Sequence, residues 1–258
     1  MFFDGPVVGV VHLLPLPGSP GYGGAMDAIL ERAVADATAY ARGGAHGIVI
    51  ENYGDAPFFK DRLPPESVAA LARVAASVSD AVSLPFGINA LRNDARAALG
   101  IAAATGASFI RVNVHAGVVA TDQGLLEGNA AETLRARAAL GTDVRIFADV
   151  HVKHGRTLHC EDLGAAARDL CGRAGADAVI VSGAATGAPT DLADLRTVRA
   201  ALPDAYVMAG SGVTEETLEP TLELANAVIV GTALKRNGKT REPVDLDRVR
   251  RFVTRALR

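Results

Sequence analysis

The chain has 258 residues, 49% of them hydrophobic and 21% charged, with a formal net charge of −3. That size and composition suit one soluble-type domain with a large core. The slightly acidic balance argues against attachment to nucleic acid or a membrane surface by charge. No apolar run approaches the roughly 20 residues that cross a bilayer, so no integral membrane segment is expected. The start, Met1-Phe2-Phe3-Asp4-Gly5-Pro6, has no basic stretch leading an apolar one, and a cytoplasmic location is expected.

Taken in chain order, Val- and Ile-rich runs at 7–12, 46–51, 84–89, 108–114, 144–151, 177–182, 205–209 and 227–230 read as strands. Ala-, Leu- and Arg-rich stretches at 26–42, 65–80, 94–105, 129–140, 161–173, 191–201, 214–224 and 245–256 read as helices. Strict strand–helix alternation predicts a parallel sheet, because parallel strands need crossover helices. The even spacing favours closure into a single (β/α)8 TIM barrel, of class α/β, spanning 1–258. An open doubly wound sheet is the alternative, but no Gly-x-Gly-x-x-Gly follows the first strand and no cofactor is expected. Three connections after strands are long: 12–25, 52–64 and 116–128. They fall on the face where barrels carry their chemistry. Lys235 to Val244 reads as a polar surface loop, and Arg248 to Arg258 as the polar face of the last helix. Cys160 and Cys171 lie on or near one predicted helix, too far apart along it to be bonded, and read as small buried hydrophobes.

Two late glycine motifs follow strands directly: Gly210-Ser211-Gly212 and Gly231-Thr232. Backbone N–H groups in such turns, at the end of the seventh and eighth units, are where barrels hold phosphate. The plainer alternative is that these glycines only allow tight turns. Strand parity, which sends residues two apart to the same face, turns His12, Glu51, Asn89, Arg111, Asn113, Asp149 and His151 inward near the C-terminal strand ends, with Ser182 ending the sixth strand. His115 has the same parity as Asn113. Ionisable groups gathered inside a barrel either pair with each other or serve a ligand. Both readings stay open, and carboxylates in such a setting suit acid–base chemistry. Asp149, His151 and His154 with His12 or His115 match no compact metal motif, and no metal is expected. Lys153, two residues past His151, could form a Schiff base or pair with an anion.

Several longer strings carry a family resemblance. They are Gly9-Val10-Val11-His12-Leu13-Leu14-Pro15-Leu16-Pro17-Gly18-Ser19-Pro20, Ile50-Glu51-Asn52-Tyr53-Gly54-Asp55-Ala56-Pro57-Phe58, Gly87-Ile88-Asn89-Ala90-Leu91-Arg92-Asn93-Asp94 and Phe109-Ile110-Arg111-Val112-Asn113-Val114. Thr121-Asp122-Gln123-Gly124, Ala148-Asp149-Val150-His151-Val152-Lys153-His154 and Thr186-Gly187 with Thr190-Asp191 continue it. Through them the chain resembles the BtpA family over nearly its whole length. The resemblance implies a phosphate-binding barrel. The family is named for a factor in photosystem I accumulation, which implies a non-catalytic assembly or regulatory role as one alternative.

The residues themselves favour an enzyme acting on a small phosphorylated metabolite, a sugar phosphate or a nucleotide-like ribosyl compound. Glu51 and Asp149 are the expected acid and base, with His151 and Lys153 as helpers. His12, Asn89, Arg111, Asn113, Ser182 and Thr186 are expected to touch substrate. Gly183, Gly210, Ser211, Gly212, Gly231 and Thr232 are expected to hold its phosphate. Isomerisation, glycosyl or ribosyl cleavage or transfer, hydrolysis and carbon–carbon lyase chemistry remain open, with two separated carboxylates leaning toward the glycosyl class. The apolar loop segments Leu13–Pro17 and Phe58-Phe59 point to a homo-oligomer, and Phe58-Phe59 could equally anchor a lid.

Overall fold

Each strand of the chain is followed by an amphipathic segment that needs an apolar surface to cover, and a closed sheet supplies one all round. In the computed structural model, which describes residues 2–152, 154–160, 162–183 and 190–258, this is the outcome. The strands are β1 (Val7–His12), β2 (Gly47–Glu51), β3 (Phe86–Asn89), β4 (Phe109–Val112), β5 (Val118–Thr121), β6 (Gly124–Glu127), β7 (Arg145–Val150), β8 (Gly155–Thr157), β9 (Ala178–Val181), β10 (Val207–Ala209) and β11 (Ala227–Val230). The helices are α1 (Met26–Arg42), α2 (Pro65–Ala81), α3 (Ala95–Thr105), α4 (Ala130–Ala139), α5 (Leu163–Gly172), α6 (Leu192–Ala201), α7 (Leu218–Leu222) and α8 (Leu246–Ala256). Strands β1, β2, β3, β4, β7, β9, β10 and β11 form a closed parallel barrel, in that order. The expected (β/α)8 class is therefore what the chain adopts. The helix expected at 214–224 shortens to α7.

Two shells of core follow from the period-two pattern. Outward-facing Val7, Val11, Ile48, Ile50, Ile88, Ile110, Ile146, Ala148, Val179 and Val228 pack under the helices. Inward-facing Val8, Val10, Val49, Phe109, Phe147, Ile180, Met208 and Ile229 fill the interior. The N-terminal Phe2 and Phe3 join them, with Phe3 edge-on to Phe109 and Phe109 stacked on Phe147 at 4.6 Å. Gly87 has no side chain because the Phe109 ring lies where its Cβ would be. Aspartates hold helix starts: Asp94 accepts from Ala97 N–H, Asp191 from Ala193 N–H, and Asp245 from Asp247 and Arg248 N–H.

Several features differ from the sequence reading. The connection at 116–128 is not irregular: β5 and β6 form an antiparallel hairpin, and β8 adds to its other edge to make a three-stranded sheet above the barrel. Lys235 and Val244 are not surface residues. Lys235 is fully buried, its Nζ 2.7 Å from Asp36 Oδ2, while Asp36 Oδ1 accepts the Val244 N–H at 2.7 Å. The segment between them is thus a strap with a pinned neck. Leu13 and Leu16 are buried in the chain's own core, which removes that loop as grounds for self-association. The two cysteines are free and half-buried.

His115 does not face the barrel interior. It is 1% exposed, and its Nε2 lies 3.0 Å from the Ala174 carbonyl, which fixes the proton on Nε2. Burial pushes its proton affinity below the usual histidine value. His46, read from sequence as a surface or helix-start residue, is also lowered by burial, and its Nδ1 accepts the Val7 N–H. Both rings therefore bind protons more weakly folded than unfolded. Their stabilising contribution is complete above the unfolded value of about 6.5 and is lost as pH falls below it. The melting temperature should drop between pH 7.5 and 5, and His115→Gln should make that drop shallower. An unchanged slope in the variant would show that His115 is not the group responsible.

Candidate active site at the barrel mouth

Barrel register brings the polar strand ends together. His12 on β1 pairs across to Glu51 on β2, and Glu51 to Asn89 on β3, so the three form one row at the C-terminal rim. Arg111 on β4 stands beside it and is 3% exposed. Its Nη1 donates to Glu51 Oε1 at 3.2 Å; its Nε and Nη2 form a fork on Asp149 at 3.0 and 2.9 Å. Asn89 Nδ2 donates to Glu51 Oε1 at 3.0 Å, and His12 Nε2 lies 3.9 Å from Glu51 Oε2. Asp149 also accepts from Ser182 Oγ at 2.6 Å and from Asn113 Nδ2 at 3.0 Å. Burial alone would pull the Arg111 proton affinity down. Asp149 and then Glu51 outweigh it, leaving the guanidinium above its usual value and permanently charged.

This arrangement is an ion-pair network, and it also lines open space. A cavity of about 490 Å³ is bounded by His12, Glu51 and Arg111 on one side and by Gly210, Ser211, Gly212, Gly231 and Thr232 on the other. The glycines do more than turn the chain. A Cβ at Gly210 would meet Ile180, Ser182 Oγ and Arg111 Nη2, and one at Gly231 would meet the His12 ring. Only at Gly212, with φ at +65°, does backbone conformation itself call for glycine. The N–H groups of Thr232 and Ala233, at the start of the single turn Thr232–Leu234, lack intrahelical partners, and both residues line this cavity. Arg248 and Arg251, which the sequence reading left on the polar face of α8, line it too. Glu215 and Glu216 share its rim, and Glu215 lies 3.7 Å from Arg251.

A second cavity, of about 560 Å³, shares Glu51 and extends over β3 and β4. Asn89, Asn113 and Arg92 line it, together with Asp122 and Gln123 from the β5–β6 turn and Arg241 from the strap. Asp122 and Gln123 were marked in the sequence only through the family string at 121–124, and Arg241, on a connection read as a surface loop, was not marked at all. Of the remaining expected site residues, Gly183 donates its N–H to Ser211 Oγ at 2.9 Å and does not line the first cavity. His151 stands apart from the Arg111 network. Strand alternation ends at Val150, His151 takes φ of +48°, and its Nε2 binds the Cys160 carbonyl at 2.8 Å. Lys153 and Thr186 lie outside the described residues. Among those described, no group of His, Cys, Asp or Glu side chains is placed to hold a metal, and no helix is long and apolar enough to cross a membrane.

Fold and site define a (β/α)8 barrel with a buried ionisable network at its C-terminal mouth. Comparison with known proteins refines this. The BtpA family matches residues 4–258, and the chain belongs to that family. It is 50% identical over 248 residues to the photosystem I biogenesis protein BtpA of Synechocystis sp., covering 96% of this chain and 86% of that protein. It is 45% identical to an uncharacterized protein of Pyrococcus furiosus, covering 98% and 95%. Among solved structures, phosphoribosyl anthranilate isomerase from Thermococcus kodakaraensis superposes with a TM-score of 0.58 at 14% identity, over 98% of this chain and 99% of that one. Thiamine phosphate pyrophosphorylase from Pyrococcus furiosus gives 0.59 at 12% identity, over 98% and 97%. At such identities the likeness concerns the fold.

Proposed function

We propose that the protein is an enzyme acting on a small phosphorylated sugar-type metabolite at the barrel mouth. The observation that carries this reading is that one cavity is lined both by the late glycine turns and by Glu51, Arg111 and His12. The phosphate sits on backbone N–H groups around Gly210–Gly212 and Gly231–Thr232, with Arg248 and Arg251 adding positive charge. Such amide cradles favour anions. The sugar then lies over Arg111, whose fixed charge orients its oxygens. Glu51 and Asp149 act as acid and base; Glu51 lines both cavities, whereas Asp149, whose two oxygens accept from Arg111, Ser182 and Asn113, must release a donor to meet the ligand. The neighbouring folds support this, since two of them carry phosphorylated compounds in their names. A homo-oligomer and a cytoplasmic setting belong to the same reading. Among the described residues, Phe59, Leu125, Leu140, Leu158 and Leu257 are the large apolar groups open to a subunit contact.

Glu51→Gln separates this from a second reading. The 50% identity to a photosystem I biogenesis protein supports a non-catalytic assembly factor whose barrel senses a ligand. For an enzyme, ribose 5-phosphate should still raise the melting temperature of Glu51→Gln, while turnover falls about 10²- to 10⁴-fold. For an assembly factor the substitution should leave partner binding untouched. Absence of any thermal shift with inorganic phosphate or ribose 5-phosphate in the unaltered protein would defeat the phosphate reading itself.

A further inference from the structure

The second cavity has its own chemical character. Its walls carry Tyr53, Phe58 and Leu91, which offer apolar surface for a flat group to cover. Three side-chain amides also line it, those of Asn89, Asn113 and Gln123, and each is oriented by a carboxylate, Asn89 by Glu51. Asn113 gives its Nδ2 to Asp149 Oδ2 at 3.0 Å, and Gln123 gives its Nε2 to Asp122 Oδ2 at 2.5 Å. Each amide's oxygen is then turned away from its carboxylate. Asn113 Oδ1 and Gln123 Oε1 are both buried, and neither meets a hydrogen-bond partner among the described residues. Buried acceptors without donors are rare in folded proteins, because each forfeits its hydration. Both belong to residues that line one cavity, and a ligand that brings hydrogen-bond donors would satisfy them once these side chains turn toward it. Arg92 and Arg241 line the same space and supply donors for the ligand's acceptors.

A planar group carrying both N–H donors and ring or carbonyl acceptors satisfies every one of these features. A free sugar phosphate does not: its hydroxyls suit the amides but leave the aromatic walls uncovered, and at about 560 Å³ the cavity is large for a pentose already seated over Arg111. A second phosphate or a carboxylate would suit the arginines but leave both amide oxygens without donors.

We propose that this second cavity binds a nitrogenous base, making the ligand class a nucleoside 5′-monophosphate or a close analogue. The inference rests on the phosphate reading above: phosphate in the first cavity, base in the second, pentose beside Glu51, which both cavities share. Base recognition elsewhere uses the same pair of devices, stacking on apolar or aromatic faces and hydrogen bonds to the base edge.

Calorimetric titration tests it, with inorganic phosphate, ribose 5-phosphate and the four common ribonucleoside 5′-monophosphates as probes. At least one nucleotide should bind ten-fold or more tightly than ribose 5-phosphate. The ratio of the two affinities should collapse toward one in Asn113→Leu and fall several-fold in Phe58→Ala. A merely structural role for either residue would weaken both ligands alike and leave the ratio in place. If ribose 5-phosphate binds and no nucleotide binds more tightly, the base pocket is wrong and the phosphate reading stands. If none of the probes binds, both fall together.

Discussion

Arg111→Met should destabilise the protein by about 3–5 kcal/mol, the range seen when one partner of a buried ion pair is removed. Methionine keeps most of the volume but none of the five donors. Glu51 and Asp149 would be left buried without the cation that now bonds both, at 3.2 Å and through a 2.9 Å and 3.0 Å fork. Against a typical total stability of about 5–15 kcal/mol, that loss is large. It should also depend on pH in a definite direction. Without the guanidinium, the folded state holds protons on these carboxylates more tightly than the unfolded state does. The variant is therefore penalised most near neutral pH and least as pH falls toward the unfolded carboxylate range of about 4. Chemical denaturation of both proteins at pH 7 and pH 5 reads this. A gap below about 1 kcal/mol, or one that does not narrow at pH 5, would mean the network is better solvated than its burial implies.

Asp36→Ala should cost a similar amount, about 3–5 kcal/mol, for a reason far from the strand ends. Asp36 accepts from Lys235 Nζ at 2.7 Å, from the Val244 N–H at 2.7 Å and from Arg32 Nε at 3.2 Å. The substitution strands a fully buried ammonium, whose proton affinity burial already lowers and Asp36 partly restores. It also frees a backbone donor at the neck of the strap. The strap's Thr240 Oγ1 lies 2.9 Å from Thr232 Oγ1 in the glycine cradle, and its Arg241 reaches the second cavity. Loosening the neck should therefore weaken ribose 5-phosphate binding as well as folding. The double variant Asp36→Leu/Lys235→Met, which replaces both charges by apolar groups, should recover most of the stability. A double variant less stable than the single one would show that the pair itself, and not the stranded charge, dominates.

The barrel was legible in the sequence because its two periodicities never compete. Short Val/Ile runs alternate with long Ala-rich ones, and each strand's parity extends to its C-terminal end. That parity alone placed His12, Glu51, Asn89, Arg111, Asn113 and Asp149 near one another, as the network shows. It failed one step later. His151 continues the count but not the strand, because the chain turns into a left-handed conformation there. The β5–β6–β8 sheet was missed because each strand is only three or four residues long, and β8 comes from beyond β7. Lys235 was misread as a surface residue because the reason for its burial, Asp36, lies in α1 at the other end of the chain. Arg248 and Arg251 had a local signal, three residues apart on α8, the helix that follows the strap, but a charged helix face reads first as solvated.

On the proposed function, the mouth of this barrel holds a phosphorylated ligand between the late glycine turns and the Arg111 network. A crystal structure with ribose 5-phosphate tests it directly. The phosphate should lie within hydrogen-bond distance of backbone N–H groups in 210–212 and 231–233, with the sugar above Arg111 and Glu51. Clear density for the ligand at any other place, or an empty mouth at saturating concentration, would contradict it.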